Sequence, residues 1–157
     1  MTAHPNAALI TSFYEAFQRK DGAAMAALYA DDVTFSDEVF VGLKGPQAGG
    51  MWRMLCKNGK DLELTFSGVE ADDTSGKAHW EARYTFSLTG RKVHNVIDAA
   101  FTFRNGRIAT HVDRFDFYRW ARQALGVTGL LLGWTPLVKN KVRAQASASL
   151  GRFLAGR

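Results

Sequence analysis

The chain has 157 residues, 46% of them hydrophobic and 22% charged, which suits one folded domain and excludes a disordered chain. Its net charge of +5 is unevenly placed: residues 1–118 carry 13 basic and 15 acidic side chains, whereas residues 119–157 carry seven basic ones and no acid. That split argues against a uniformly basic nucleic-acid-binding domain, and the single cysteine, Cys56, excludes an intrachain disulfide and points to a reducing, cytoplasmic setting.

In chain order, residues 6–20 read as a helix capped by Asn6, with Leu9, Phe13, Ala16 and Phe17 on one face. The N-terminal residues show no basic segment followed by an apolar run, so no secretory leader is expected. Asp21 caps a shorter helix carrying Met25 and Leu28. Residues 32–41 alternate as a strand, with Val33, Phe35, Asp37 and Val39 on one side. Gly45-Pro46 opens a third helix bearing Met51, Trp52, Leu55 and Cys56, and Asn58-Gly59 ends it.

From residue 61 the period changes to two. Leu62, Leu64 and Phe66 alternate with polar residues, and Trp80, Ala82, Tyr84 and Phe86 share one face of the next strand. Val93, Asn95, Ile97, Ala99 and Phe101 share a face of the third, and a fourth runs from Arg107 to about Phe117. Turn signals at 72–76, Thr89-Gly90 and Asn105-Gly106 separate them. The order predicts an α+β fold: a curled antiparallel sheet with helices over its concave face. Phe117 to Leu125 reads as a short helix. Thr135-Pro136 starts a longer one with a Val138, Val142, Ala146, Leu150, Phe153, Leu154 stripe. Its cations fall mostly outside the stripe, as the solvent face of a helix docked on its own domain or on a second copy. Membrane-surface or anionic-partner binding is the lesser alternative.

An ionisable group on an apolar face needs a partner or a purpose. Three sites qualify: Asp37, the pair His111 and Asp113, and Asn95. A two-residue Asn105-Gly106 loop would set Asp98 beside Asp113. A three-residue loop would instead set Ala99 opposite His111, Ile97 opposite Asp113 and Asn95 opposite Phe115. The second register is favoured because it unites the apolar faces and avoids opposed carboxylates. Asp113 then lines the concave side as a general base, with His111 beside it and Asp37 as a further candidate. The competing reading has Asp113 accepting hydrogen bonds from Tyr84 or Trp80, and His111 satisfied in the core. Asn95, Tyr84, Trp80 and Trp52 would line a ligand pocket, together with Phe13, Ile97, Phe101 and Phe115. No phosphate loop, metal set or cofactor motif stands out.

The segments ALYADDVTFSDEV at 27–39 and GRIATHVDRFD at 106–116, in this element order, resemble the SnoaL-like branch of the nuclear-transport-factor-2-like superfamily. The resemblance covers roughly residues 6–125, leaving 126–157 as a basic helical extension. It implies a cone-shaped α+β barrel with a deep apolar pocket, no cofactor, and a homodimer through the outer sheet face. Activities range from polyketide cyclases and ketosteroid isomerases to epoxide hydrolases and non-catalytic binders. In the ketosteroid-isomerase pattern Asp37 takes the proton-shuttling position. The two oxyanion donors, however, are replaced by Phe13 and Ala99, and Tyr14 and Asp98, each one residue away, should point elsewhere. The epoxide-hydrolase acid falls at Asp113, while its partners fall near Ala82, Tyr84, Phe35 and Asp37 and break that set. A cyclase-like role with Asp113 as base and His111 beside it survives best. The implied function is binding of a small apolar or polycyclic ligand, with proton abstraction next to a carbonyl. The alternative is a non-catalytic ligand-binding or dimeric interaction module.

Overall fold

A computed structural model describes residues 4–156. Three helices, α1 (Pro5–Gln18), α2 (Gly22–Ala27) and α3 (Pro46–Asn58), accompany strands β1 (Tyr29–Ser36) and β2 (Leu43–Lys44). A meander follows: β3 (Glu63–Ala71), β4 (Ser75–Phe86), β5 (Arg91–Arg104) and β6 (Arg107–Arg114). The chain closes with α4 (Phe117–Leu125), α5 (Val127–Leu132) and α6 (Pro136–Leu154). The six strands form one curved, unclosed sheet in the order β2-β1-β6-β5-β4-β3. The meander is antiparallel, but β1 runs parallel to β6, so the sheet is mixed.

Local chemistry accounts for the element ends. The Asp21 carboxylate accepts from the Ala24 N–H at the start of α2, and Pro46 occupies the first turn of α3. The first cap differs from expectation: His4, not Asn6, caps α1, its Nδ1 accepting from the Asn6 N–H at 3.0 Å. Strand β1 also starts earlier and ends sooner than the alternation suggested, at Tyr29 and Ser36. The last strand ends at Arg114 rather than near Phe117, and Asp116, two residues beyond it, is a helix cap that accepts from the Arg119 N–H.

The β5–β6 hairpin corrects both registers weighed from the sequence. Its loop is the two-residue Asn105-Gly106, with φ of 54° and 74°, and Arg104 faces Arg107. Two positive φ angles are what a twist-matched hairpin turn requires, and Asn-Gly adopts them readily. A bulge then shifts the pairing by one residue between Thr102 and Phe103. Ala99 therefore faces Asp113, Phe101 faces His111, and Asp98 faces Arg114. The sets of residues sharing a face are unchanged, because this register and the favoured one differ by an even step.

Helices α1 and α3 lie on the concave face, and two apolar clusters fill it. The larger holds Phe13, Phe17, Phe35, Trp52, Trp80 and Phe101, all buried. The smaller joins Val93, Phe117, Trp120, Ala124 and Val138 at the end of the cone where α4 crosses β5. Helix α6 packs along α3. Lys139 Nζ donates to Glu38 Oε2 at 2.9 Å, and Arg143 Nε donates to the Glu38 carbonyl at 3.0 Å. Truncation before Pro136 is expected to cost about 2 kcal/mol, since it uncovers the partners of Val138 and Leu150 and frees Glu38. A chemical-denaturation midpoint unchanged by truncation would contradict a docked α6.

Candidate functional site

The interior polar residues form one connected chain. Trp52 Nε1 donates to the Tyr29 hydroxyl at 2.7 Å, and that hydroxyl lies 2.8 Å from His111 Nδ1. His111 Nε2 lies 2.9 Å from Asp113 Oδ1, which also accepts from Trp80 Nε1 at 3.4 Å. The indoles donate into the chain at its two ends, and between them Tyr29 and Asp113 each bond one imidazole nitrogen of His111, so both ring nitrogens are satisfied.

This chain is sealed. His111 is 0% exposed and Asp113 is 3% exposed. The imidazole is surrounded by Phe13, Tyr29, Phe35, Trp52 and Phe101, with ring centroids 4.3–6.1 Å away. Phe17 bridges Trp52 and Trp80 at 5.1 and 5.5 Å, and the two indoles stand 6.2 Å apart. Aromatic rings thus occupy the volume in which a ligand pocket was expected. Burial pushes the Tyr29 hydroxyl well above its usual pKa, helped by Asp113 and opposed by the Trp52 hydrogen bond.

Asp37 lies elsewhere. It follows β1 in a turn rather than inside the strand, half-buried, and its Oδ1 accepts the N–H groups of Val39 and Phe40 at 2.7 and 2.6 Å. Burial raises its pKa to about 7, against the Phe40 hydrogen bond and with repulsion from Asp113. Next to it in sequence, Glu38 is held by Lys139 and Arg143, so α6 fixes the turn that carries Asp37.

The remaining expected lining residues divide between the two clusters. Phe13, Trp52, Trp80, Ile97 and Phe101 belong to the sealed core. Tyr84 is half-buried, and its hydroxyl accepts from Trp120 Nε1 at 2.7 Å rather than reaching Asp113. Asn95 is buried at β5 and faces Ala82, not Phe115; Phe115 lies just beyond β6 and touches both clusters. Tyr14 also departs from expectation. It is 0% exposed and turned inward, against Phe66, Trp80 and Phe101, because α1 buries a face wide enough for adjacent positions. Its hydroxyl is the one buried side-chain polar atom among the described residues without a hydrogen-bond partner.

Tyr29 is the member that sequence reasoning missed. Starting the strand at residue 32 left it out, although it leads the same apolar face as Val33 and Phe35. On the outer face His79 bonds Asp98 and Glu81, and Glu81 bonds His94, away from the interior chain. An open depression of about 520 Å³ lies beside this network, and Tyr84 is the only expected site residue that lines it. Among the described residues no group of three or more His, Cys, Asp or Glu could hold a metal ion. No described helix is long and apolar enough to cross a membrane.

A family model for the SnoaL-like domain matches residues 10–111. The chain belongs to the SnoaL-like family. Solved structures agree on the fold of this SnoaL-like chain. A polyketide cyclase candidate from Xanthomonas campestris pv. campestris is 22% identical, with a TM-score of 0.62 over 74% of this chain and 93% of that one. An M. tuberculosis epoxide hydrolase, described as LEH-like, is 19% identical, with a TM-score of 0.60 over 85% and 95%. A protein with a ketosteroid-isomerase-like fold from Catenulispora acidiphila DSM 44928, solved with trimethylamine, is 15% identical, with a TM-score of 0.67 over 82% and 97%. No functionally curated protein matches the sequence. At these identities the likeness establishes the fold of this SnoaL-like chain and leaves its chemistry to its own residues.

Proposed function

We propose that this protein is a non-catalytic interaction module of the SnoaL-like family. The family and its neighbours support a ligand-binding or cyclase-like role. The observation that carries the non-catalytic reading is the sealing of His111 and Asp113 behind aromatic rings, with both imidazole nitrogens already bonded. A general base must reach the proton it removes. Asp113 reaches His111 and Trp80 instead, and Phe13 and Ala99 at the oxyanion positions supply no side-chain donor. The same proposal takes residues 1–125 as the family domain and 126–157 as an addition, in a cytoplasmic homodimer.

A second reading rests on Asp37. Asp37 is half-buried with a pKa near 7, suited to proton abstraction at neutral pH. On this reading a small apolar carbonyl compound enters at the Asp37 end.

Deuterium exchange next to the carbonyl of apolar cyclic ketones separates the two. The non-catalytic reading expects exchange no faster than in buffer. Exchange that is lost in Asp37→Asn establishes the second reading; exchange lost only in Asp113→Asn restores Asp113 as base.

A further inference from the structure

Between α4 and α6 a run of large apolar side chains is left in solvent. Val127 is 71% exposed, Leu130 52%, Leu131 62%, Trp134 72% and Leu137 72%. The other three tryptophans are no more than 6% exposed. The backbone beneath the run is held firmly. Gly129 sits so close to the Ala121 carbonyl that a Cβ would collide with it. The Tyr118 hydroxyl donates to the Leu130 carbonyl at 2.8 Å, and Trp134 Nε1 donates to the Leu131 carbonyl at 3.0 Å. These side chains are therefore presented outward by a fixed scaffold. Contiguous exposed apolar patches mark interaction sites.

The charge around the run identifies the partner. No acid follows Asp116 in the sequence. Arg122 stacks over the Tyr118 ring, 4.9 Å from its centroid, beside the Tyr118–Leu130 bond. Lys141 lies one helical turn beyond Leu137, on the same exposed side of α6. Arg119, Arg122 and Lys141 form no ion pair among the described residues. A two-fold contact through this face would press Arg122 and Lys141 against like charges, and the one acid in residues 116–157, Asp116, is engaged in capping α4. An anionic lipid surface meets both requirements, with apolar side chains entering the acyl boundary and cations resting among the headgroups.

We propose that the segment Val127–Leu137 docks this protein onto anionic membrane surfaces, with Arg119, Arg122 and Lys141 contacting lipid headgroups. This reverses the preference drawn from the sequence, in which the cations were only a solvent face. The six-residue α5 lies in the interface and crosses nothing. The inference goes beyond the closed-interior reading and does not use it, so ketone exchange tests one and vesicles test the other.

The test mixes the full chain with vesicles of phosphatidylcholine, with and without about one third phosphatidylglycerol. Co-sedimentation with the anionic vesicles alone is expected, with a blue shift in the emission of Trp134. The triple variant Leu131→Ser/Trp134→Ser/Leu137→Ser should keep its melting temperature and lose binding about tenfold or more. The pair Arg122→Gln/Lys141→Gln should weaken binding and flatten its salt dependence. Absence of binding to anionic vesicles would overturn the proposal, as would a triple variant that binds equally well. A dimer that dissociates in the triple variant, without vesicle binding by the parent, assigns the face to a second copy instead.

Discussion

Replacing Trp52 by alanine is expected to cost about 3–5 kcal/mol, the range for truncating a large buried aromatic. At this chain length that corresponds to a fall of roughly 10 °C in melting temperature. The indole is 1% exposed and touches Phe13, Phe17, Phe35, Trp80 and His111. Its removal leaves a void among rigid rings and takes from the Tyr29 hydroxyl its donor. The Tyr29 hydroxyl that bonds His111 Nδ1 is then less firmly held, so the loss reaches the imidazole. Trp52→Phe keeps most of the volume and loses only the donor, so about 1–2 kcal/mol is expected there. Thermal or urea unfolding of the pair reads both. Equal losses would show that volume matters little and that the interior is not tightly filled.

The second large effect is a pH dependence set by Asp37. Its pKa rises from 3.8 to about 7 on folding. Between those values the folded state keeps a proton that the unfolded chain has released. Stability is therefore fully present below about pH 4 and is lost as the pH rises toward 7. The upper bound is on the order of 4 kcal/mol for a shift of this size, since each unit is worth about 1.4 kcal/mol. Asp37→Asn keeps an oxygen for the Val39 and Phe40 N–H groups and removes the charge. The variant should match the parent near pH 4 and exceed it above pH 7. The difference between the two isolates Asp37 from carboxylates that act in the opposite sense, such as Glu81, whose pKa is lowered by bonds to His79 and His94. A difference that stays flat from pH 4 to 8 would sink the assignment.

Much of the fold was legible because it depends on patterns that local chemistry writes directly. Asp21, Pro46, Gly59 and Thr135 all mark helix ends, and strict alternation located β3 to β6. The inward face of β5 and β6 was also legible, since parity survives an even shift in register. The bulge near Thr102 was not legible, because no residue type announces it. Neither was the parallel pairing of β1 with β6, which depends on where the long connection returns.

The site was legible as a set of residues and not as a state. His111 and Asp113 do share the concave face, and Trp80 does bond Asp113. Whether a cone lined by Phe, Trp and Tyr stands open or fills itself is decided by rotamers and helix positions, to which periodicity is blind. Asp37 was misplaced for a related reason. Its alternation with Phe35 and Val39 fits a strand, but its carboxylate bonds two backbone N–H groups ahead of it and turns the chain. The net charge of +5 is a property of the tail, some of it tied to Glu38 and some set beside exposed apolar residues.

The protein fills its interior with its own aromatic side chains, and a crystal structure of the protein as purified from cells tests this most directly. Trp52 and Trp80 are expected near 6 Å apart, with Phe17 packed between them and His111 bonded to Tyr29 and Asp113. A bound molecule that parts the two indoles and touches Asp113 would contradict it.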